Sequence, residues 1–348
     1  MRRHAWLVMA AGCFTLSCRA PSPAPGSEGY WSVSCVGGEG RYLLAGGDGS
    51  ALVDAATGTV LERSPGMVKA VGCDASGGIV VGYGSAVRLP GRTSVPVPTI
   101  GGDTVLGLDP SGAWISYGRR ISGRRWRGPA SIFVTSARSA SATEMLPARF
   151  GSVGAARPLP TPDSFAVRFG NLLADGRVLL AAGWEPSRSP GGVEALPWGF
   201  FAWDLKTSAA APLTGAIASD VAINQAWFQR IAGTRDGSRM VAAVHDGERL
   251  SIGWFERDAQ RATRVVALVA PGGPSALAVS EDGAFVAVAS ESRGREAPAQ
   301  AWVLDTGGKV AWNGSFTKSV AGLHFMADGS LLVATGEARA LKVSLPHP

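Results

Sequence analysis

One pattern recurs along this chain and constrains its fold more than any other feature. An apolar stretch runs into a small-residue turn ending in glycine, then into a second apolar stretch. Leu277-Ala278-Val279-Ser280-Glu281-Asp282-Gly283-Ala284-Phe285-Val286-Ala287-Val288 is the clearest copy, and Leu323 to Val333 repeats it around Asp328-Gly329. Five further copies turn at Gly40, Gly77, Gly112, Gly176 and Gly237. Four of the seven turns are Asp-Gly and two are Ser-Gly. Asp-Gly between apolar runs signals a β-hairpin, because glycine accepts the positive φ that a tight turn demands. Composition agrees: 47 glycines in 348 residues are nearly twice the usual share of about 7%. With only 17% charged residues, this argues for many short strands and against a helical bundle. The 46% hydrophobic content is ample for a core and excludes disorder as the main state.

Successive turns lie 37, 35, 64, 61, 46 and 46 residues apart, and the 315 residues from Trp31 to Leu345 make 45 per copy. Repeats of about 40–50 residues carrying several strands each point to radially stacked sheets, since a lone small sheet cannot bury both its faces. The fold expected is all-β, a seven-bladed β-propeller of four-stranded antiparallel blades over residues 31–348. Six or eight blades stay open, because the two long separations have room for a degenerate blade. A third strand often follows, ending in Asp and a turn, as in Ala202-Trp203-Asp204-Leu205-Lys206-Thr207 and Ala301-Trp302-Val303-Leu304-Asp305-Thr306-Gly307-Gly308. In these segments the chain resembles WD-repeat and related bacterial propellers, whose blades read apolar–Ser–x–Asp-Gly, a strand, then Trp/Val-x-Asp. The resemblance implies architecture and no chemistry. The last copy offers three strands, near 320–325, 330–336 and 340–345. The proline-rich residues before Tyr30 make a poor fourth.

The N-terminus supplies an address. Met1-Arg2-Arg3-His4 precedes an apolar run from Ala5 to Leu16 and then Ser17-Cys18. A basic start and a short apolar segment ending in a small residue describe a secretory signal over residues 1–17, too short for a membrane span of about 20 residues. Phe14-Thr15-Leu16-Ser17-Cys18 resembles the bacterial lipobox, which implies cleavage before Cys18 and its lipidation. The other reading is a plain secreted protein cut near Ala20. Residues 18–30, with Pro21, Pro23 and Pro25 among small residues, suit a flexible tether. Multiple acyl chains would hold the protein firmly to a bilayer, as its sole membrane attachment. By the same resemblance, Arg19 in place of an Asp implies an outer-membrane anchor facing the periplasm. Loss of Arg2 and Arg3 lowers the formal charge from +6 to +4. Outside the cytoplasm that excess points away from nucleic acid and towards an envelope protein, an anionic glycan or lipid headgroups.

Motifs of chemistry are sparse. His245, His324 and His347 are far apart and have no metal-ligand spacing, and no nucleophile elbow, phosphate-binding glycine loop or paired-cysteine motif occurs. No cofactor or metal is expected, and the chain is expected to be a monomer. Cys35 and Cys73 take equivalent places in adjacent copies, where Val279 and Phe325 stand in others. In an oxidising compartment they are either a disulfide between blades one and two or two buried thiols. The densest charge cluster is Arg119, Arg120, Arg124, Arg125 and Arg127 around Trp126, where a second-to-third-strand loop belongs. Trp184 and Trp198 bound the corresponding loop of the next copy. Such loops share the end opposite the Asp-Gly turns, and binding residues concentrate on loops over a rigid scaffold. The alternative is a solvated hairpin whose arginines only keep it soluble. The function expected is a non-enzymatic, lipid-anchored interaction scaffold in the cell envelope. Its rivals are an extracytoplasmic hydrolase or lyase with a pocket at the channel mouth, and a glycan-binding module using Trp126, Trp184 and Trp198.

Overall fold

The computed structural model describes the backbone of residues 30–36, 41–46, 49–54, 57, 59–66, 70–74, 77–81, 86–95, 104–108, 113–122, 125–136, 142–145, 149–150, 165–172, 177–184, 199–204, 209–213, 229–234, 236–245, 249–259, 261–292, 297–335 and 340–345. Side chains are described chiefly in residues 41–66, 87–94 and 230–345.

These residues form seven sheets. The first holds β1 (Tyr30–Val36), β2 (Arg41–Gly46), β3 (Gly49–Asp54) and β4 (Val60–Pro65). The second holds β5 (Ala70–Asp74), β6 (Gly77–Val81), β7 (Ala86–Leu89) and β8 (Thr93–Val95). The third is built from β9 (Thr104–Leu108), β10 (Ala113–Ser122), β11 (Arg125–Ser136) and β12 (Ala142–Met145). The fourth contains β13 (Arg149–Phe150), β14 (Phe165–Leu172), β15 (Arg177–Trp184), β16 (Gly199–Asp204) and β17 (Ala209–Leu213). The fifth runs through β18 (Gln229–Gly233), β19 (Arg239–His245), β20 (Arg249–Glu256) and β21 (Arg264–Val269). The sixth runs through β22 (Pro274–Val279), β23 (Phe285–Ser290), β24 (Ala299–Asp305) and β25 (Val310–Phe316). The seventh has β26 (Val320–Phe325), β27 (Leu331–Thr335) and β28 (Ala340–Val343).

Within each sheet, strands consecutive in the chain pair antiparallel, β13 apart. The uniform four-stranded expectation is corrected at two places. In the fourth sheet the short β13 pairs parallel with the outer edge of β17, Arg149 beside Ala209, making five strands. The seventh sheet has three. No additional sheet occupies the long separations among the described residues; the first of them contains the ten- and twelve-residue strands β10 and β11.

Packing explains why so small a sheet is stable. In the sixth, Val286, Val288, Trp302 and Leu304 face Val241, Ala243, Leu250, Ile252 and Trp254 of the fifth. The intervening Ala287, Ala289, Ala301 and Val303 face Val320, Leu323, Leu331 and Val333 of the seventh. Alternate side chains of one strand thus enter two different cores, as the period-two geometry of a strand requires. Middle strands are therefore buried along almost their whole length, whereas β21 alternates between exposed and half-buried positions. The same logic joins first and last sheets: Tyr42, Leu44, Ala51 and Val53 share a cluster with Leu332 and Ala334. Leu43 and Leu52, on the other face of the first sheet, pack with Val80 and Leu89 of the second.

Candidate functional site

The two ends of the sheets are built differently. At one end are the first-to-second-strand turns, and their chemistry repeats. Ser280 N–H donates to Phe285 O at 3.0 Å, and Gly283 N–H to Ser280 O at 2.9 Å. Inside that loop the Ser280 hydroxyl donates to Asp282 Oδ1 at 2.6 Å, and Ala284 N–H donates to the same oxygen at 2.9 Å. The Thr234–Arg239 turn matches it, with the Thr234 hydroxyl 2.7 Å and Ser238 N–H 2.9 Å from Asp236 Oδ1. Gly237, Gly283 and Gly329 have φ of 70°, 69° and 78°, so the glycines identified in the sequence are there for left-handed backbone.

Donors aimed at a carboxylate favour its charged form. Ser238 N–H and then the Thr234 hydroxyl hold Asp236 at about 2. Lys342 and then Ser330 hold Asp328 at about 2. The Ser280 hydroxyl, with Ala284 N–H, lowers Asp282. These acids are committed to turn structure.

Neighbouring sheets interlock at this end. Arg239 Nη1 donates to Gly283 O at 2.7 Å across the fifth and sixth. Third-to-fourth-strand turns lean on the fourth strand of the preceding sheet. A Cβ on Gly308, between β24 and β25, would lie 2.5 Å from Val266 on β21. Between β7 and β8, Gly91 N–H donates to Glu62 Oε2 on β4 at 2.8 Å, and Arg92 pairs with Glu62 at 3.5 Å.

The opposite end carries the second-to-third-strand connections, and there the arginine cluster sits. Arg119 and Arg120 belong to β10, and Arg125, Trp126 and Arg127 to β11, so the expected loop is the tip of a long hairpin. Trp126 stands opposite Ile121, and Arg125 opposite Ser122. Arg119 pairs with Ala130, so Arg120 opposes the three residues Arg127, Gly128 and Pro129. Proline donates no backbone hydrogen bond and glycine tolerates irregular dihedrals, so this dipeptide suits a bulge that re-aims a strand. Arg125 and Trp126 lie beyond that bulge, Arg120 and Arg127 within it and Arg119 before it.

Trp184 ends β15, at the same end of its own sheet. Arg124 and Trp198 lie outside the described residues, as does Cys18. Cys35 on β1 pairs with Tyr42, and Cys73 on β5 with Gly78. Their strands are neighbours, and their side chains are outside the described set. Val279 and Phe325, in the equivalent places, each pack against a core between sheets.

One residue at this end escaped the sequence reading. Arg230 lies on β18, and its Nε donates to Ser275 O on β22 at 3.2 Å. Burial lowers its guanidinium to about 10, against the opposing pull of Glu291. An arginine within Gln229-Arg230-Ile231-Ala232-Gly233 was the available signal: a charge inside a short apolar strand. His245 is buried at the end of β19, with Nε2 3.4 Å from Ala270 O, in keeping with a structural histidine. Among the described residues no group of three or more His, Cys, Asp or Glu is placed to hold a metal ion, and no helix is long and apolar enough to cross a membrane.

No protein-family model and no curated protein matches the chain. Solved structures do. The hydrazine synthase of Kuenenia stuttgartiensis superposes with a TM-score of 0.61 at 11% identity, over 94% of this chain and 99% of that one. The Cps50 (Swd1) β-propeller domain of Myceliophteria thermophila superposes with a TM-score of 0.58 at 11% identity, over 91% and 96%. At that identity the likeness speaks to fold alone. With the antiparallel sheets and the cores between them, it makes this chain a β-propeller.

Proposed function

We propose that this chain is a lipid-anchored, extracytoplasmic propeller of seven blades closed into a ring, and a non-enzymatic interaction scaffold in the bacterial envelope. It offers the hairpin end of its sheets to an envelope protein or another anionic surface. The observation carrying this reading is the β10–β11 hairpin at the end away from the tight turns, where Arg119, Arg120 and Arg127 flank a Gly128-Pro129 bulge and Arg125 and Trp126 lie past it. Arginine and tryptophan are common interface anchors. Support for closure comes from the core shared by the first and last sheets. Support for the anchor comes from the basic start, the apolar run and Cys18. The two structural neighbours carry unrelated names, so the fold itself favours no activity.

The test is crosslinking from intact envelopes, then titration of the recovered partner at two salt concentrations. Arg119, Arg120, Arg124, Arg125 and Arg127, all changed to Ser, should slow association and remove most of its salt dependence; Trp126→Ala should mainly speed dissociation. Equal affinity of the wild type and the five-serine variant at both salts would leave a solubilising hairpin. Cys18→Ser should release the protein from membranes. Alkylation after unfolding without reductant separates a Cys35–Cys73 disulfide from two thiols.

A further inference from the structure

Positive charge is scarce in the first strands of the sheets. β1, β5, β9, β22 and β26 hold no lysine or arginine. The two first strands that do, β14 with Arg168 and β18 with Arg230, are neighbours. These two arginines also stand at one level. Counting back from the last pairs before the turns, Leu172–Val178 and Gly233–Met240, the third residue is Phe169 in one strand and Arg230 in the other. Arg168 comes next, left out of the ladder between Val167 and Phe169, in a bulge of the kind that bends a strand. Arginine is among the residues least often buried without a partner, and Arg230 is fixed by the 3.2 Å bond from its Nε to Ser275 O.

The sheet on the other side of β14 carries the arginine hairpin. Its first strand, β9, lies beside β14 and pairs with β10 only as far as Thr104 opposite Tyr117. β10 runs on to Ser122, five residues farther, so the hairpin rises above its own first strand by at most about 17 Å. In the fifth sheet β18 pairs as far as Gln229 opposite Val244, and β19 ends one residue later at His245. The third sheet is therefore tall at this end and the fifth is short. Arg119, Arg120 and Arg125 lie up the hairpin, and Arg168 and Arg230 lie at the level of the first strands. Three consecutive sheets thus form a basic step with a riser and a foot. A bilayer is flat on this scale and meets only the top of the step. An extended polymer reaches both parts.

We propose that this step binds an extended acidic segment of a partner polypeptide, with carboxylates spread from the hairpin arginines to Arg168 and Arg230. The proposal rests on the hairpin end being the binding face, as above, and narrows the partner from any anionic surface to an acidic chain. The planar guanidinium matches a carboxylate through two parallel hydrogen bonds. Arg230 is half-buried, so a carboxylate must come down to it on a flexible stem. A glutamate side chain supplies that stem, whereas the carboxyl of a uronic acid sits directly on its ring. A guanidinium already held by Ser275 O also loses little freedom when a partner arrives.

The probe is fluorophore-labelled decaglutamate, titrated by anisotropy against the full-length protein in detergent. Ten extended residues span about 33 Å, enough to cover riser and foot together. Arg125→Ser with Arg127→Ser should weaken binding about 5-fold, and Arg168→Gln or Arg230→Met by a similar factor. Arg230→Lys, which keeps the charge, should lose less than Arg230→Met. Photolysis of wild-type protein needs no substitution and so survives a variant that unfolds. Decaglutamate with benzophenone at either end should form adducts both on β10–β11 and on β14 or β18. Foot substitutions without effect, or adducts confined to the hairpin, overturn the step and leave the hairpin-end reading standing. Foot substitutions that act while the hairpin ones do not overturn both, as does an absence of decaglutamate binding together with indifference of phosphatidylglycerol vesicles to the hairpin substitutions. Vesicles bound in preference to decaglutamate assign the hairpin to a membrane, and polygalacturonate bound in preference assigns the step to a glycan; either result overturns the acidic segment.

Discussion

The sixth and seventh sheets follow the same local plan and differ in enclosure. Each begins with an apolar strand and an Asp-Gly turn, in which an aspartate accepts hydrogen bonds from the loop. The sixth is covered on both faces and capped by β25. The seventh shares its cores with the sixth and the first but, among the described residues, ends at the exposed β28. Equal local sequence therefore yields unequal burial, because burial depends on what neighbouring sheets supply.

Perturbing the covered sheet should give the largest effect. Trp302 on β24 is 7% exposed and packs between the fifth and sixth sheets. Trp302→Ala should cost about 3–5 kcal/mol by the usual scale for buried aromatics, measured by denaturant unfolding. A loss no larger than that of Leu341→Ala on β28 would erase the contrast between the sheets.

Glycines sharpen it next. Gly308 and Gly329 both have φ of 78°, so alanine incurs about 1–2 kcal/mol of left-handed strain at either. At Gly308 the new Cβ also meets Val266 Cγ2 at 2.5 Å, whereas at Gly329 nothing lies within 4 Å. Gly308→Ala should exceed Gly329→Ala by about 1 kcal/mol or more, the cost of overpacking. Equal losses would show that the turn does not lean on the preceding sheet.

Smaller still is the turn carboxylate. Asp282→Ala removes the acceptor for the Ser280 hydroxyl and Ala284 N–H and should cost about 1–2 kcal/mol. Asp282→Asn, which keeps one acceptor oxygen, should recover part of it in the same unfolding assay.

Acid should produce the gentlest change. Asp236 and Asp328 are held at about 2, below the ordinary 3.8. A depressed carboxylate contributes stability that is complete above its unfolded value and lost as pH falls towards its folded value. The melting temperature should therefore decline between about pH 4 and pH 2, with a shallower decline in Asp328→Asn. An unchanged slope in that variant would remove Asp328 from the acid response.

The legible part of this architecture was local. Asp282-Gly283 and Asp328-Gly329 marked their turns because a six-residue loop contains its own donors, acceptor and positive-φ glycine. The arginine cluster was located at the right end of its sheet but taken for a loop, since the pairing of Ile121 with Trp126 past a bulge has no signature in periodicity. Arg230 was missed because its partner, the Ser275 carbonyl, comes from another sheet 45 residues onward.

What the amino-acid sequence determined by itself was the inventory: strands, turn residues, the spacing of copies and the extreme composition of the N-terminal segment. Each is decided within a few residues by backbone dihedrals and short hydrogen bonds. Only the tertiary structure decided which face of Val286 and Ala287 meets which neighbour, that β13 joins the fourth sheet in parallel, and that the first and last sheets share a core. Those outcomes depend on surfaces contributed by residues far apart in sequence. A strand's hydrophobicity says only that it must be covered, never by which partner.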